Sequence, residues 1–470
     1  MTEHRVINYS APNTTPQSAE QSSRDYRAKS WWLEQAGVGY VENPPLEGMV
    51  RADVLIIGGG FTGVSAAYHL KRDFPELRIV LLEGEVVGYG ASGRNAGFVT
   101  TFFGQSLKLT SLRFGQPNAV QAQRYMKRAV QYVDQLIHER NLDCEYVPTD
   151  LLHVATTPAY VQRLAREAER AQTLGIEGNE WIGTAELRTL VDSPTYLGAI
   201  RSRPAALLNP TRFVRELKRL AVGIGAEVYE HSPVMNLEFT HPIRAQTPHG
   251  AVEADRLVLA TGASAAQFQQ VQNRQVPLHT YVVLTEPLTP AQRDGVHWQG
   301  REAIVDARNQ EHYYRLMSDN RLLVGGGDVH YFYDNVLGID RYAPAFDHLE
   351  RFIHTTFPAL RGIKITHHWG GPISATFDLA PVLGYIGSGQ RAIYAAGCMG
   401  HGLALAVLNG QTISDMIGGR HTPLTETFFV GRKVLPIPPE PLRAPLVNGI
   451  LGVMHARDAY DERTGLGARK

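Results

Sequence analysis

The sequence predicts an α/β fold in which a Rossmann-like nucleotide-binding domain is interrupted by a strand-rich second domain. Three observations carry this. Residues 54–63 read Val-Leu-Ile-Ile-Gly-Gly-Gly-Phe-Thr-Gly, with Glu83 twenty residues after Gly63. A second apolar strand signature, Arg256-Leu-Val-Leu-Ala-Thr261-Gly262-Ala263, and a third, Ile393–Ala396 followed by a helical pattern over Leu403–Ile417, lie far along the chain. Between them sits a run of short strand-like segments. At 470 residues the chain is too long for one simple core.

Asp53 through Ile57 is apolar and β-branched, the composition of a buried parallel strand. Gly58, Gly60 and Gly63 then occupy the G-x-G-x-x-G positions. The first permits a tight turn, the second lets backbone approach a pyrophosphate, and the third lets the next helix pack closely on the strand. Phe61 and Thr62 open that helix, in which Val64, Ala67, Tyr68 and Leu70 recur at helical spacing. Its N-terminus offers N–H groups and about half a positive charge to an anion. Arg78–Glu83 reads as the second strand, with the Glu83 carboxylate, followed by Gly84, placed to accept hydrogen bonds from an adenosine ribose. An acid there argues against a 2′-phosphate, hence against NADP, but does not separate NAD from FAD.

Phe114–Arg140 predicts a long helix with Val120, Tyr125, Ala129, Tyr132, Leu136 and Ile137 as its apolar stripe. Leu151–Thr156 reads as a strand and Ala159–Leu174 as a charge-laced helix stopped by Gly175. Pro210-Thr211 opens a helix through Ala221, followed by a strand at Ala226–Tyr229. Ala251–Ala260, Tyr281–Thr285, Ala303–Asp306, His312–Met317 and Arg321–Gly325 are strand-like, the last two joined by a Ser318-Asp319-Asn320 turn.

Bulk properties exclude several classes. Lys+Arg and Asp+Glu number 46 each, so nothing suggests a nucleic-acid partner. Two cysteines, Cys144 and Cys398, exclude a disulfide framework and fit a reducing compartment. Met1–Arg27 is polar and lacks the apolar stretch of a signal peptide, and no apolar run approaches the roughly 18 residues needed to span a bilayer. A cytoplasmic protein with a flexible N-terminal tail is expected. No metal site is expected.

The chain resembles the D-amino-acid oxidase superfamily of FAD-dependent amine oxidoreductases. The resemblance rests on Ile56–Leu70, Glu83, Gly88-Tyr-Gly-Ala-Ser-Gly-Arg-Asn-Ala-Gly97, Val258–Ala263, Arg321–Gly327 and Ala396-Gly-Cys-Met-Gly-His-Gly-Leu403. It runs from about residue 30 to about 425. Ser30-Trp-Trp-Leu33 and Pro45-Leu-Glu-Gly48 look most like the branch containing γ-glutamylputrescine oxidase, beside glycine oxidase and sarcosine oxidase.

The resemblance implies a Rossmann-like FAD-binding domain of the glutathione-reductase type, with an interleaved substrate domain on a mixed, mostly antiparallel β-sheet. The expected division is a tail over 1–29, an FAD-binding domain over 30–145, 208–275 and 365–425, a substrate-binding domain over 146–207 and 276–364, and a C-terminal extension over 426–470. FAD contacts are then expected from Gly58, Gly60, Phe61, Thr62, Gly63, Glu83 and Gly84. The loop Ser92-Gly93-Arg94-Asn95-Ala96-Gly97 is expected against the flavin and pyrophosphate. Val234, Thr261 and Gly262 are expected to contribute backbone. Met399, Gly400, His401, Gly402 and Leu403 form a second strand–glycine–helix junction, whose helix N-terminus would favour the negative charge that grows on a reduced flavin.

Departures from the family matter as much. Ala404 stands where sarcosine oxidases carry a carboxylate-binding lysine. Their flavin-linking cysteine has no counterpart in Trp369–Ser374, and Asn95 stands where the dimethylglycine-oxidase branch has a linking histidine. Non-covalent FAD is therefore expected, with Cys398 a small buried apolar residue. Met317 replaces the substrate arginine of glycine oxidase. Arg315, two residues earlier on the same strand face, is the candidate carboxylate anchor. His401 is a candidate cofactor or pocket residue, and His279 a candidate base over the flavin for oxygen reactivity.

The expected activity is oxidation of a primary or secondary amine or amino acid, with oxygen, a quinone or another carrier as acceptor. An FAD-dependent 2-hydroxy-acid dehydrogenase and a flavin-binding subunit of a larger dehydrogenase use the same scaffold and remain alternatives. Arg443–Asp461 is weakly amphipathic: it offers a face to a partner or membrane surface, or packs as a helix on its own domain.

Overall fold

The computed structural model describes residues 25–387 and 389–467. The tail expected over 1–29 falls mostly outside them; within them, Tyr26–Lys29 forms a short 3-10 turn with Tyr26 buried.

The class is mixed α/β, as the sequence predicts, and two sheets divide the strands. The first runs, in spatial order, Val382–Ile386, Ala392–Ala396, Gly250–Leu259, Gly48–Ile57, Ile79–Leu82 and Glu227–Tyr229. Its centre is parallel: Ile56 lies opposite both Val258 and Leu81. Val54, Leu55, Ile56 and Leu81 are fully buried, which explains the continuous apolar runs. Helix Phe61–Asp73 makes the crossover from Gly48–Ile57 to Ile79–Leu82. Helix Gly402–Ile417 crosses it closely: Ser65 Oγ donates to Val407 O at 2.6 Å, and a Cβ on Gly410 would strike Ser65. Helix Gln116–Arg140 packs behind, its Tyr125 hydroxyl bonded to Asn409 and Thr412. This helix begins two residues later than its periodicity predicts, because Gly115 at φ +86° and Pro117 end the preceding helix, Leu107–Phe114. Its buried stripe includes Ala122, Met126 and Val133, while Val120 and Tyr132 are only partly covered.

The second sheet runs Ile365–Ala375, Val276–Pro287, Arg321–Gly326, His312–Leu316, Ala303–Asp306, Val147–Ala155, Gly198–Leu207 and Phe98–Val99. Its pairings are antiparallel except Ala303–Asp306 on Val147–Ala155. The strand read as Tyr281–Thr285 is the middle of a twelve-residue strand, paired along its length with Ile365–Ala375. Neither Pro277 nor Gly370-Gly371-Pro372 reads as sheet locally.

The N-terminal segment is stapled to the first domain. Ser30 caps helix Trp31–Gly37 by accepting from Leu33 N at 3.1 Å, and its hydroxyl donates to Gly93 O at 2.6 Å. Glu230, fully buried, accepts from Tyr40 Oη, Asn43 N and Val87 N at 2.6 Å each and from Lys218 Nζ at 2.9 Å. Among the described residues, no helix is long and apolar enough to cross a membrane.

Candidate active site

A cavity of about 1090 Å³ runs between the two sheets. One end is walled by Gly58, Gly60, Phe61, Thr62, Glu83, Gly84, Val234, Thr261 and Gly262. The strand ends at Ile57, Leu82 and Leu259 converge there, which is where parallel α/β sheets hold ligands. Gly58 takes φ +110°, and a Cβ on it would sit 2.6 Å from Ala260 O. A Cβ on Gly63 would sit 1.9 Å from Gly58 O, so that glycine packs helix on strand without lining the cavity. Helix Phe61–Asp73 has Gly60 as its N-cap and hence no capping side chain.

Glu83 accepts from Gly59 N at 2.6 Å and from Glu85 N at 3.1 Å. Burial pushes its carboxyl up to about 7, with the two amides pulling the other way. Thr261 Oγ1 is buried against the cavity without a partner. A helix N-terminus whose Gly60 cap brings no side chain, a carboxylate at the second strand end and an unpartnered hydroxyl along one elongated cavity suit the pyrophosphate and ribose of FAD.

Ser92, Arg94, Asn95 and Ala96 line the middle of the cavity. Their side chains are largely engaged within the protein. Ser92 Oγ accepts from Phe61 N at 3.0 Å. Arg94 donates to Asp340, Tyr89 O and Gly370 O, and Lys29 also pairs with Asp340. Asn95 is spent on its own loop, donating to Ala91 O and Ser92 O and accepting from Gly97 N. Gly93 and Gly97 lie outside the lining, where a Cβ would strike Gly88 O and Leu208 O.

The far end is built by Phe98, Thr100, Phe102, Gln105, Glu311 and Tyr313 opposite Met399, Gly400, His401, Gly402 and Leu403. Met399 and Gly400 both take positive φ, turning the chain so that helix Gly402–Ile417 starts against the cavity, again with no side-chain cap. His401 Nε2 lies 3.5 Å from Glu311 Oε2, and its ring meets Phe102 edge-on at 5.2 Å. Its Nδ1 is buried without a partner. Cys398 also lines the cavity, and burial raises its thiol. Val447, Ile450, Leu451 and Met454 of helix Arg443–Gly467 close one side. That helix packs on its own chain through Asp458, which accepts from Asn309 N, Asn309 Nδ2 and Gln310 N.

Two expected site residues lie elsewhere. Arg315 is not in the cavity wall. Its Nη1 donates to Ala96 O at 3.0 Å and Leu208 O at 2.8 Å, and the guanidinium lies over Trp32. It shares a strand face with Tyr313, which does line the cavity, but sits one step deeper, where burial lowers it to about 9. His279 is fully buried and points the other way: Leu278 and Thr280 line the cavity, so alternation turns His279 to the opposite face, against Leu337 O and Phe332. Glu311 and the helix side chains Val447–Met454 were missed, since a lone acid in a turn and a weakly patterned terminal segment carry no local signature.

The sequence profile described as FAD dependent oxidoreductase, DAO, matches residues 53–416. The chain belongs to the DAO family of FAD-dependent oxidoreductases. It is similar to the gamma-glutamylputrescine oxidoreductase of Escherichia coli K12, 28% identical over 387 residues and covering 81% of this chain and 87% of that one. It is similar to the glycine oxidase of Bacillus licheniformis, 25% identical over 393 residues, covering 82% and 98%. Among solved structures, glycine oxidase from Geobacillus kaustophilus has a like fold, with a TM-score of 0.68 at 23% identity, covering 82% of this chain and all of that one. The DAO-family chain is thus an oxidoreductase of the amine and amino-acid oxidase type with FAD as its cofactor.

Proposed function

We propose that this DAO-family enzyme oxidises the C–N bond of a small primary or secondary amine, with FAD held non-covalently. The observation that carries this is the continuity of one cavity from Glu83, past Ser92–Ala96, to His401 and Glu311. FAD, when bound, accepts a hydride from the carbon next to nitrogen, and water hydrolyses the resulting imine.

The chain's own residues do the rest. Helix N-termini at Phe61 and Gly402 hold negative charge at the two ends of the cofactor. Phe98, Phe102, Tyr313, Leu451 and Met454 surround the reacting end with apolar surface and exclude water. His401 turns Nε2 to Glu311, which favours the Nε2–H tautomer and leaves a lone pair on Nδ1. We assign the His401–Glu311 pair the polar contact that orients the amine at this end of the cavity.

Anaerobic mixing with a panel of amines, amino acids and 2-hydroxy acids, read at the flavin absorbance near 450 nm, tests this. Amines should bleach the band. Bleaching by hydroxy acids alone would make the enzyme a hydroxy-acid dehydrogenase, and no bleaching by any of them would leave the flavin-subunit reading. Reoxidation in air against reoxidation by a quinone then identifies the acceptor.

A further inference from the structure

We infer that Glu311 sets substrate specificity: it holds a second positive charge, so the amine is a linear diamine or an amine with a distal cationic group, and not a carboxylated amino acid. This rests on the amine-oxidation reading above and narrows it.

The first argument is charge. Among the described residues, three Lys and Arg side chains line the cavity, and each is bonded within the protein. Arg94 and Lys29 pair with Asp340, and Arg113 donates to Asp378 O at 2.6 Å. Arg315, the expected carboxylate anchor, lies outside the wall, its Nη1 held by two backbone carbonyls and its Nε buried without a partner. A substrate carboxylate entering the reacting end would meet Glu311 and no guanidinium or ammonium to pair with, which costs heavily in a low-dielectric site. Glu311 in turn offers its carboxylate to the cavity, with Oε2 facing His401 at 3.5 Å.

The second argument is shape. Glu311 and His401, with Phe102, Gly104 and Gln105, line both the main cavity and a side chamber of about 110 Å³, so together they form the neck between the two. At roughly 30 Å³ per water-sized group, the chamber takes the end of a short chain, three to four such groups. Its walls are mixed: Gln105, Gln123, Asn179 and Glu167 stand among Phe102, Phe103, Ile176 and Ile200, so an alkyl chain is accommodated beside a few polar groups. Glu167 Oε2 is buried there without a partner, and burial raises that carboxyl. An ammonium at the neck satisfies Glu311, and a longer chain carries its charge inward to the orphaned Glu167 oxygen. A monoamine satisfies neither.

The test compares three probes of matched length, 1,4-diaminobutane, n-butylamine and 4-aminobutanoate, by anaerobic flavin reduction with the full-length FAD-loaded enzyme. The second-order rate for the diamine should exceed that for the monoamine by at least tenfold, and the amino acid should be slowest. In Glu311→Gln, the diamine-to-monoamine ratio should fall toward one; reading a ratio removes any common effect through His401. Glu311→Lys should reverse the order in favour of 4-aminobutanoate. A wild-type ratio near one, or a ratio unchanged in Glu311→Gln, overturns the inference while leaving amine oxidation standing. If no amine reduces the flavin, both fall. Flavin content and melting temperature confirm that the variants are folded; if Glu311→Lys does not fold, the Glu311→Gln ratio decides.

Discussion

Glu83 accepts the Gly59 amide at 2.6 Å, tying the end of the second parallel strand to the glycine turn that ends the first. Burial of that carboxylate, which the contact only partly offsets, is expected to make cofactor binding pH-dependent. Burial holds the Glu83 carboxyl near 7 against an ordinary 4.5. Between those values the folded chain keeps a proton that the unfolded chain has lost, so this group lowers stability as pH rises from about 4.5 to 7. Ribose hydroxyls donating to the carboxylate pull it back toward its ordinary value, so FAD binding releases a proton. FAD affinity should therefore tighten several-fold from pH 6 to pH 8, and Glu83→Gln should bind more weakly with a flat profile. Quenching of free FAD fluorescence on titration with apoenzyme measures both; a flat wild-type profile would sink the assignment.

Removing Arg315 should act on the fold and not on substrate choice. Its Nη1 satisfies Ala96 O and Leu208 O, two carbonyls at the end of the Ser92–Gly97 loop and at the entry to helix Pro210–Gly223. Arg315→Leu leaves both acceptors buried and unpaired, at about 1–3 kcal/mol each. The melting temperature should fall by several degrees, while KM values for carboxylated and uncarboxylated substrates shift alike. A selective rise for carboxylated substrates would restore Arg315 as an anchor.

The contrast between Arg315 and the glycine turns shows what the sequence made legible. The nucleotide half is written in short contiguous motifs, because strand, turn and helix N-terminus must adjoin in the chain to cradle a phosphate. Gly58, Thr62 and Glu83 accordingly lie in the cavity wall. The far end of the cavity draws on Phe102, Glu311, His401 and Met454, brought together by sheet pairing and a terminal helix. His279 failed by one residue of strand parity, which no local pattern fixes in a strand buried on both faces. Arg315 had the right parity and the wrong depth along the strand.

Glu230 is a second place where one substitution should reach the site from a distance. Its carboxylate holds Lys218, Tyr40 and the amides of Asn43 and Val87, and Arg215 stacks on Tyr40 at 3.5 Å. Lys218 is lowered by burial and held charged by Glu230. Glu230→Leu leaves that ammonium buried and unpaired, a loss of about 3–5 kcal/mol for a broken buried pair. Thermal unfolding should shift down by several degrees, and limited proteolysis should begin in residues 38–46. Replacing the pair together, Glu230→Leu with Lys218→Met, should recover part of the loss. A double variant no better than the single would show that the backbone amides, and not the lysine, dominate.

Asp458 couples the C-terminal helix to the turn that leads into Glu311. It is almost fully buried and accepts from Asn309 N, Asn309 Nδ2, Gln310 N and Tyr160 Oη, holding the three-residue turn that ends in Glu311. The same helix lays Val447, Leu451 and Met454 against the cavity. Asp458→Ala strands two backbone amides and frees both the turn and the helix. KM for the amine substrate should rise on the order of tenfold, and hydrogen exchange should speed up in 309–311 and 443–464 together. Tyr160→Phe removes one donor from Asp458 and leaves the turn's amides bonded, so it should change KM little. If Asp458→Ala loosens the helix but leaves KM untouched, the helix is a prop for the fold and takes no part in shaping the substrate end.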